Sequence, residues 1–113
     1  MIPQLAPFNF HTTIQLRWKD IDQFGHVNNA VYLTYFETAR YYYCRDVNQW
    51  DWAIDQFIIA NVKVDYLRPL FYPGDIKVYL RTTNVGEKSF EFHYAITFER
   101  NGIEKLAATG QTT

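Results

Sequence analysis

Cysteine occurs once in the 113-residue chain, at Cys44, so no intrachain disulfide can form and no cysteine-rich metal cluster is available. On packing grounds Cys44 reads as a small residue buried near a helix end. Excess charge is lacking too. The 11 Lys and Arg against 12 Asp and Glu leave a formal net charge of -1, and no chain-wide field draws in nucleic acid phosphates. Stacked aromatics can bind single strands, but they need a basic groove that this balance does not supply. No apolar run approaches the ~20 residues of a membrane-spanning helix. The opening MIPQLAPFNF has neither the basic start nor the apolar core of a secretory signal, so the expected location is the cytoplasm, with no membrane span and no nucleic acid partner. Gly-rich phosphate loops and serine nucleophile motifs are missing. His11, His26 and His93 form no HxH or HxxxH pair, so no metal site is expected.

Aromatic residues, by contrast, are abundant: nine Tyr, nine Phe and three Trp make up 19% of the chain. Large rings bury much area per residue, which suits a small core or a dimer seam. A chain of this length is one domain, 1–113. FHTTIQLRW (10–18) has the β-branched, roughly alternating character of a half-buried strand. DIDQFGHVN reads as a loop. NAVYLTYFETARYYYCRDV then runs to about residue 47 without Gly or Pro and predicts a helix that Asn28 or Asn29 can cap. Apolar or aromatic residues fall on most faces of this helix, so it should be largely wrapped by other structure.

NQWDWAIDQ reads as a loop or short helical turn before a long strand over 57–70. Pro73-Gly74 suits a tight turn, IKVYLRTTNV and KSFEFHYAITFER alternate strongly, and Asn101-Gly102 is a hairpin signal. IEKLAATGQTT begins a last strand. The order strand, helix, four strands predicts an α+β two-layer domain with a curved antiparallel sheet around the helix. Its long edges and surface aromatics favour pairing of two chains. AATGQTT breaks off within what should be the final strand; an edge ending there would pair poorly, and the expectation is that C-terminal residues are missing or disordered.

Asp22 stands just ahead of the helix N-terminus, where exposed backbone N–H groups and the helix dipole favour negative charge. Such a terminus can stabilise an oxyanion forming on a carbonyl carbon, and a nearby carboxylate can attack that carbon or deprotonate water. The same spacing is met by an aspartate that merely caps a turn, a role Asp20 fits better still. His26 reads equally as a backbone-bonded loop histidine and as a donor to substrate. Asn28 and Asn29 read most simply as caps, and Gly25 as a backbone conformation other residues avoid.

The segment DIDQFGHVNNAVYLTYFETAR closely resembles the D-x-D-x-x-G-H-V-N-N…Y…E…R signature of the hotdog-fold acyl-CoA thioesterases, the 4-hydroxybenzoyl-CoA thioesterase and YbgC-like group. VKVDYLRPLFYPGDIKVYLRTTNVGEKSFEFHYAI resembles that family's second half, so the likeness runs from about residue 11 to 110. It implies a long central helix wrapped by a five-stranded antiparallel sheet, in homodimers or homotetramers with sites at the dimer interface. It implies hydrolysis of an acyl-CoA or acyl-carrier-protein thioester without a cofactor. Asp22 falls on the family's catalytic carboxylate, as nucleophile or general base; His26 stands beside it, and the backbone N–H of Asn29 is by position the carbonyl donor. Gly25, Asn28 and Tyr32 fall on the substrate side, and Lys63, Arg68, Lys88 and Ser89 are candidates for contact with CoA. Related plant acyl-carrier-protein thioesterases use an Asp, an Asn and a His from this loop, but Phe24 occupies the asparagine position here. Glu37, on the helix, reads as a partner of Arg40 or of the partner's loop. A non-catalytic acyl-binding or dimerisation module on the same fold is the first rival reading. A hotdog hydratase or dehydratase is the second.

Overall fold

The computed structural model describes residues 2–47, 59–87 and 89–113. The loop or turn expected over NQWDWAIDQ, the start of the strand expected from 57, and Lys88 lie outside the described residues.

Alternation of polar and apolar residues produces β1 (Phe10–Gln15), β3 (Asp75–Thr83) and β4 (Glu91–Arg100). Along β3, Ile76, Val78 and Leu80 are buried while Lys77, Tyr79 and Arg81 stand on the opposite face, the period-2 pattern of a sheet with one packed side. At the hairpin that joins β4 to β5 (Ile103–Thr112), Asn101 and Gly102 have φ of 55° and 77°, and Arg100 pairs with Ile103. Two positive φ values in a two-residue loop match the right-handed twist of the strands it joins, which is why Asn-Gly belongs there.

With β2 at Val62–Tyr66, the five strands lie in the order β1-β3-β4-β5-β2, all neighbours antiparallel. β5 (Ile103–Thr112) is therefore an interior strand, contrary to the poorly paired edge expected from the sequence. Thr112 pairs with Phe92 on one side and Val62 on the other, and Thr113 exchanges backbone hydrogen bonds with Ala60 and Asn61. β2 is Val62–Tyr66, shorter than the strand expected over 57–70, because the chain leaves the sheet after Tyr66 and crosses toward the loop ahead of the helix.

The helix α1 is Val31–Asp46. It buries one stripe, Tyr32, Tyr35, Phe36, Ala39, Tyr43 and Cys44, and leaves Leu33, Thr34, Glu37 and Tyr41 exposed. The expectation of a helix wrapped on most faces is thus corrected for the single chain: apolar character all round does not mean contact all round when a single sheet covers one side. The buried stripe meets Val78, Leu80, Phe92, Tyr94 and Ile96 in one core, with the Phe36 and Tyr94 rings stacked at 4.2 Å.

Candidate active site

The loop from Arg17 to Ala30 is built on Asp20. Its carboxylate is 2% exposed and accepts from Arg17 Nε and Nη2, from the Arg17 backbone N–H and from the Tyr35 hydroxyl. Burial acts to raise the Asp20 pKa, but the hydrogen bonds from Arg17 and Tyr35 outweigh it and hold the carboxyl below its ordinary value. Asp20 also receives the Asn28 N–H on its backbone carbonyl at 2.9 Å, so one residue ties both ends of the loop to the helix.

Within that frame the chain doubles back. The Asp22 N–H donates to the His26 carbonyl at 2.8 Å and the Gly25 N–H to the Asp22 carbonyl at 3.1 Å, with Gly25 at φ +82°, where a side chain would be strained. Asp22 Oδ1 accepts the backbone N–H groups of Phe24 at 2.8 Å and His26 at 3.3 Å. That fixes the carboxylate and leaves Oδ2 without a partner among the described residues. The His26 ring stands edge-on to Phe71 at 4.9 Å, and its nitrogens have no hydrogen-bond partner among the described residues.

At the start of α1 the cap is Ala30, which makes no side-chain cap bond. The expected asparagine cap acts two residues earlier: Asn28 Oδ1 accepts the Ala30 N–H at 2.9 Å, and the Asn28 carbonyl accepts Val31 N–H at 2.9 Å. With Asn28 N–H bound to Asp20, the Asn29 N–H is left with no acceptor among the described residues. A free N–H at a helix N-terminus, where the dipole is positive, is a ready donor to a carbonyl oxygen gaining charge.

Asp22, His26, Asn29 and Tyr32 line one cleft of about 230 Å³, closed on its other side by the ribbon Tyr66 to Pro69. The ribbon is held in place by β5. Leu67 and Arg68 donate their N–H groups to the Ala107 carbonyl, at 2.8 and 3.0 Å, and Arg68 Nη1 donates to the Leu106 carbonyl at 2.7 Å. A register shift in the β4–β5 ladder falls opposite this stretch and leaves Ala107 without a partner residue on β4. Burial pushes the Tyr32 phenol up to about 12, so it stands in the cleft wall as a neutral group.

Of the residues singled out in the sequence, the structure brings Asp22, His26, Asn29, Tyr32 and Arg68 to this cleft, with Gly25 and Asn28 shaping the loop behind it. Lys63 lies on the face of β2 turned toward Arg81, His93 and Gln111, in a separate hollow. Ser89 sits in the β3–β4 connection, its carbonyl accepting the Gly86 N–H. Neither meets the cleft within one chain. Glu37 is exposed on the outer face of α1. Sequence reasoning missed Tyr66, whose hydroxyl donates to the Asn29 carbonyl at 2.9 Å, and Phe71 behind His26. A larger hollow of about 440 Å³, between Leu16, Phe71, Lys77 and Glu104, contains neither Asp22 nor a helix terminus. Among the described residues no three His, Cys, Asp or Glu side chains are grouped to hold a metal ion, and no helix is long and apolar enough to cross a membrane.

Residues 16–113 match the thioesterase-like superfamily. The chain belongs to that superfamily. Among relatives of this thioesterase-like chain, the uncharacterized protein YsmA of Bacillus subtilis (strain 168) is 31% identical over 88 residues, 77% of this chain and 60% of YsmA. The long-chain acyl-CoA thioesterase FadM of Escherichia coli (strain K12) is 28% identical over 94 residues, 80% of this chain and 71% of FadM. The chain thus spans 60% of the length of the first of these relatives. A thioesterase from Thermus thermophilus, solved with coenzyme A and Zn, superposes with a TM-score of 0.80 at 36% identity, covering 93% of this chain and 81% of that one. One long helix against a five-stranded antiparallel sheet is the hotdog architecture that the sequence resemblance implied.

Proposed function

We propose that the chain hydrolyses acyl-CoA thioesters to the free acid and CoA. The observation that carries this is the pairing, in one cleft, of a carboxylate with one oxygen free and a helix-terminal N–H with no acceptor: Asp22 and Asn29. The relatives named as thioesterases, one of them solved with coenzyme A, support the substrate class.

In this reading the thioester oxygen accepts the Asn29 N–H, and the helix dipole stabilises the charge that gathers on it as the carbonyl carbon becomes tetrahedral. Asp22 Oδ2 either takes a proton from the attacking water or attacks the carbon itself, in which case water then hydrolyses the acyl-enzyme anhydride. Collapse breaks the C–S bond; CoA leaves as thiolate and is protonated, and water supplies the oxygen of the released acid. No cofactor takes part. His26, held against Phe71 with its ring nitrogens free among the described residues, is the neighbouring donor. The loop offers no asparagine at position 24: Phe24 stands there 73% exposed, so the scheme runs on Asp22 and the backbone.

Arg68 at the cleft, and Lys63, Lys88 and Ser89 from the rest of the chain or from a second copy, are proposed contacts for the pantetheine and nucleotide of CoA. A homodimer is proposed through the edge of β2 that is unpaired among the described residues, where Val62, Tyr66 and Leu67 are exposed beside Leu33 of α1. Release of CoA thiol from aliphatic and aromatic acyl-CoA esters, compared between wild type and Asp22→Ala, tests the reading. Turnover by the wild type and its loss in the variant are expected. Equal rates, or binding of acyl-CoA without turnover, would leave an acyl-binding module on the same fold.

A further inference from the structure

We infer that Tyr66 is a positioning residue for the hydrolysis proposed above, pinning from the sheet edge the carbonyl of Asn29, the residue whose N–H meets the thioester oxygen. The inference rests on that proposed reaction and adds to it a residue outside the loop and helix.

The peptide that carries the Asn29 N–H is held at its other end, where the Asn28 carbonyl accepts the Val31 N–H at 2.9 Å; the Asn29 carbonyl, one peptide on, sets the other side of the residue. On its N-terminal side Asn28 is held through its N–H to the Asp20 carbonyl at 2.9 Å and through its Oδ1 to the Ala30 N–H at 2.9 Å. On its C-terminal side the Asn29 carbonyl has, among the described residues, a helical partner only in Tyr32 N–H, at a long 3.3 Å, and the next bond, from Leu33 to Ala30, is equally long. The shorter bond to that carbonyl is from the Tyr66 hydroxyl, at 2.9 Å. Tyr66 is the last residue of β2, and its ring stands edge-on to Tyr32 at 4.9 Å. The hydroxyl is therefore delivered from the end of a strand, with the ring packed edge-on against Tyr32. A carbonyl pinned in this way restrains rotation of residue 29, and with it the direction of the N–H on the same residue. An oxyanion donor stabilises the transition state because it is aimed beforehand, so loosening it acts on turnover more than on ground-state binding.

Tyr66→Phe keeps the ring against Tyr32 and removes only the hydroxyl. With the purified chain and the acyl-CoA ester that the wild type turns over best, kcat should fall by about tenfold, the scale of one hydrogen bond. KM should stay within about twofold. The thermal midpoint should stay at the wild-type value, and amide exchange at Asn29 should quicken. Unchanged kcat in Tyr66→Phe, beside an active wild type and an inactive Asp22→Ala, would overturn this inference alone. So would a raised KM at constant kcat, which marks a substrate contact, or a kcat loss that merely follows a lowered midpoint. A wild type inert toward every ester would overturn the proposed hydrolysis and this inference with it.

Discussion

The Tyr35 hydroxyl donates to Asp20 Oδ2 at 2.9 Å, inside a core where Asp20 is 2% exposed and Tyr35 equally so. A buried carboxylate is tolerated only when its oxygens are occupied, and Tyr35 and Arg17 occupy them. Tyr35→Phe leaves the ring in place and removes one donor, with an expected loss of about 1–2 kcal/mol in unfolding free energy by urea titration. The pH dependence follows from the sign of the shift. The folded Asp20 pKa lies below the ordinary 3.8, so its stabilisation is complete above 3.8 and is lost as pH falls through the folded value. The gap between wild type and Tyr35→Phe should therefore be full at neutral pH and narrow as the titration is repeated below 3.8.

Asp22 serves chemistry rather than the core, and its variant should separate activity from folding. In Asp22→Asn the side-chain oxygen can still accept the Phe24 and His26 N–H groups that Oδ1 accepts now. Unfolding free energy should stay within about 0.5 kcal/mol of wild type, as for substitutions that break no buried network. The amide can neither take a proton from water nor form the anhydride, so kcat on an acyl-CoA ester should fall by about 100-fold or more. Steady-state CoA release and a urea titration on the same preparation read the two effects apart.

What the sequence made visible depends on distance along the chain. The helix, the alternation of β3 and the Asn101-Gly102 hairpin are local: a few neighbouring residues carry the signal, and the structure has them close to their expected bounds. β5 was misplaced as an edge because its second partner, β2, lies far back in the chain, and nothing local says that Thr112 will pair with Val62. The single buried stripe of α1 has the same cause, since pattern shows what could be buried and tertiary structure decides what is. At the site, Asp22, His26 and Asn29 stood out because the loop motif sets them close together in sequence. Tyr66 did not, because its link to Asn29 spans 37 positions.

Gly110 marks how closely α1 lies on β5. A Cβ added there would come 2.5 Å from Phe36 Cζ and 2.7 Å from Cε2, and the fully buried Phe36 ring could give way only by breaking its stack on Tyr94. Gly110→Ala should cost about 2 kcal/mol or more through overpacking, although alanine is the milder residue for a strand. Because Phe36 lies one turn beyond Tyr32 on the helix, the displaced ring would also move the wall of the cleft. Thermal unfolding measures the first effect, and KM for an acyl-CoA ester the second.

The free edge of β2 provides the last test. β2 hydrogen-bonds to β5 on one side, and among the described residues no strand pairs with the other. Val62 is 43% exposed, close to Leu33 at 43%, an apolar strip along an open ladder of the kind that a solitary protein covers with charge or a bulge. Tyr66 and Leu67, which close the cleft, continue the same strip. If two chains join there, the interface and the cleft share residues, and breaking one disturbs the other. Val62→Asp places a charge on the strip while leaving its backbone pairing to Thr112 available. Light scattering after size exclusion should show a wild-type dimer and a variant shifted to monomer, with CoA release from an acyl-CoA ester reduced in step. A monomeric wild type would confine the active site to one chain.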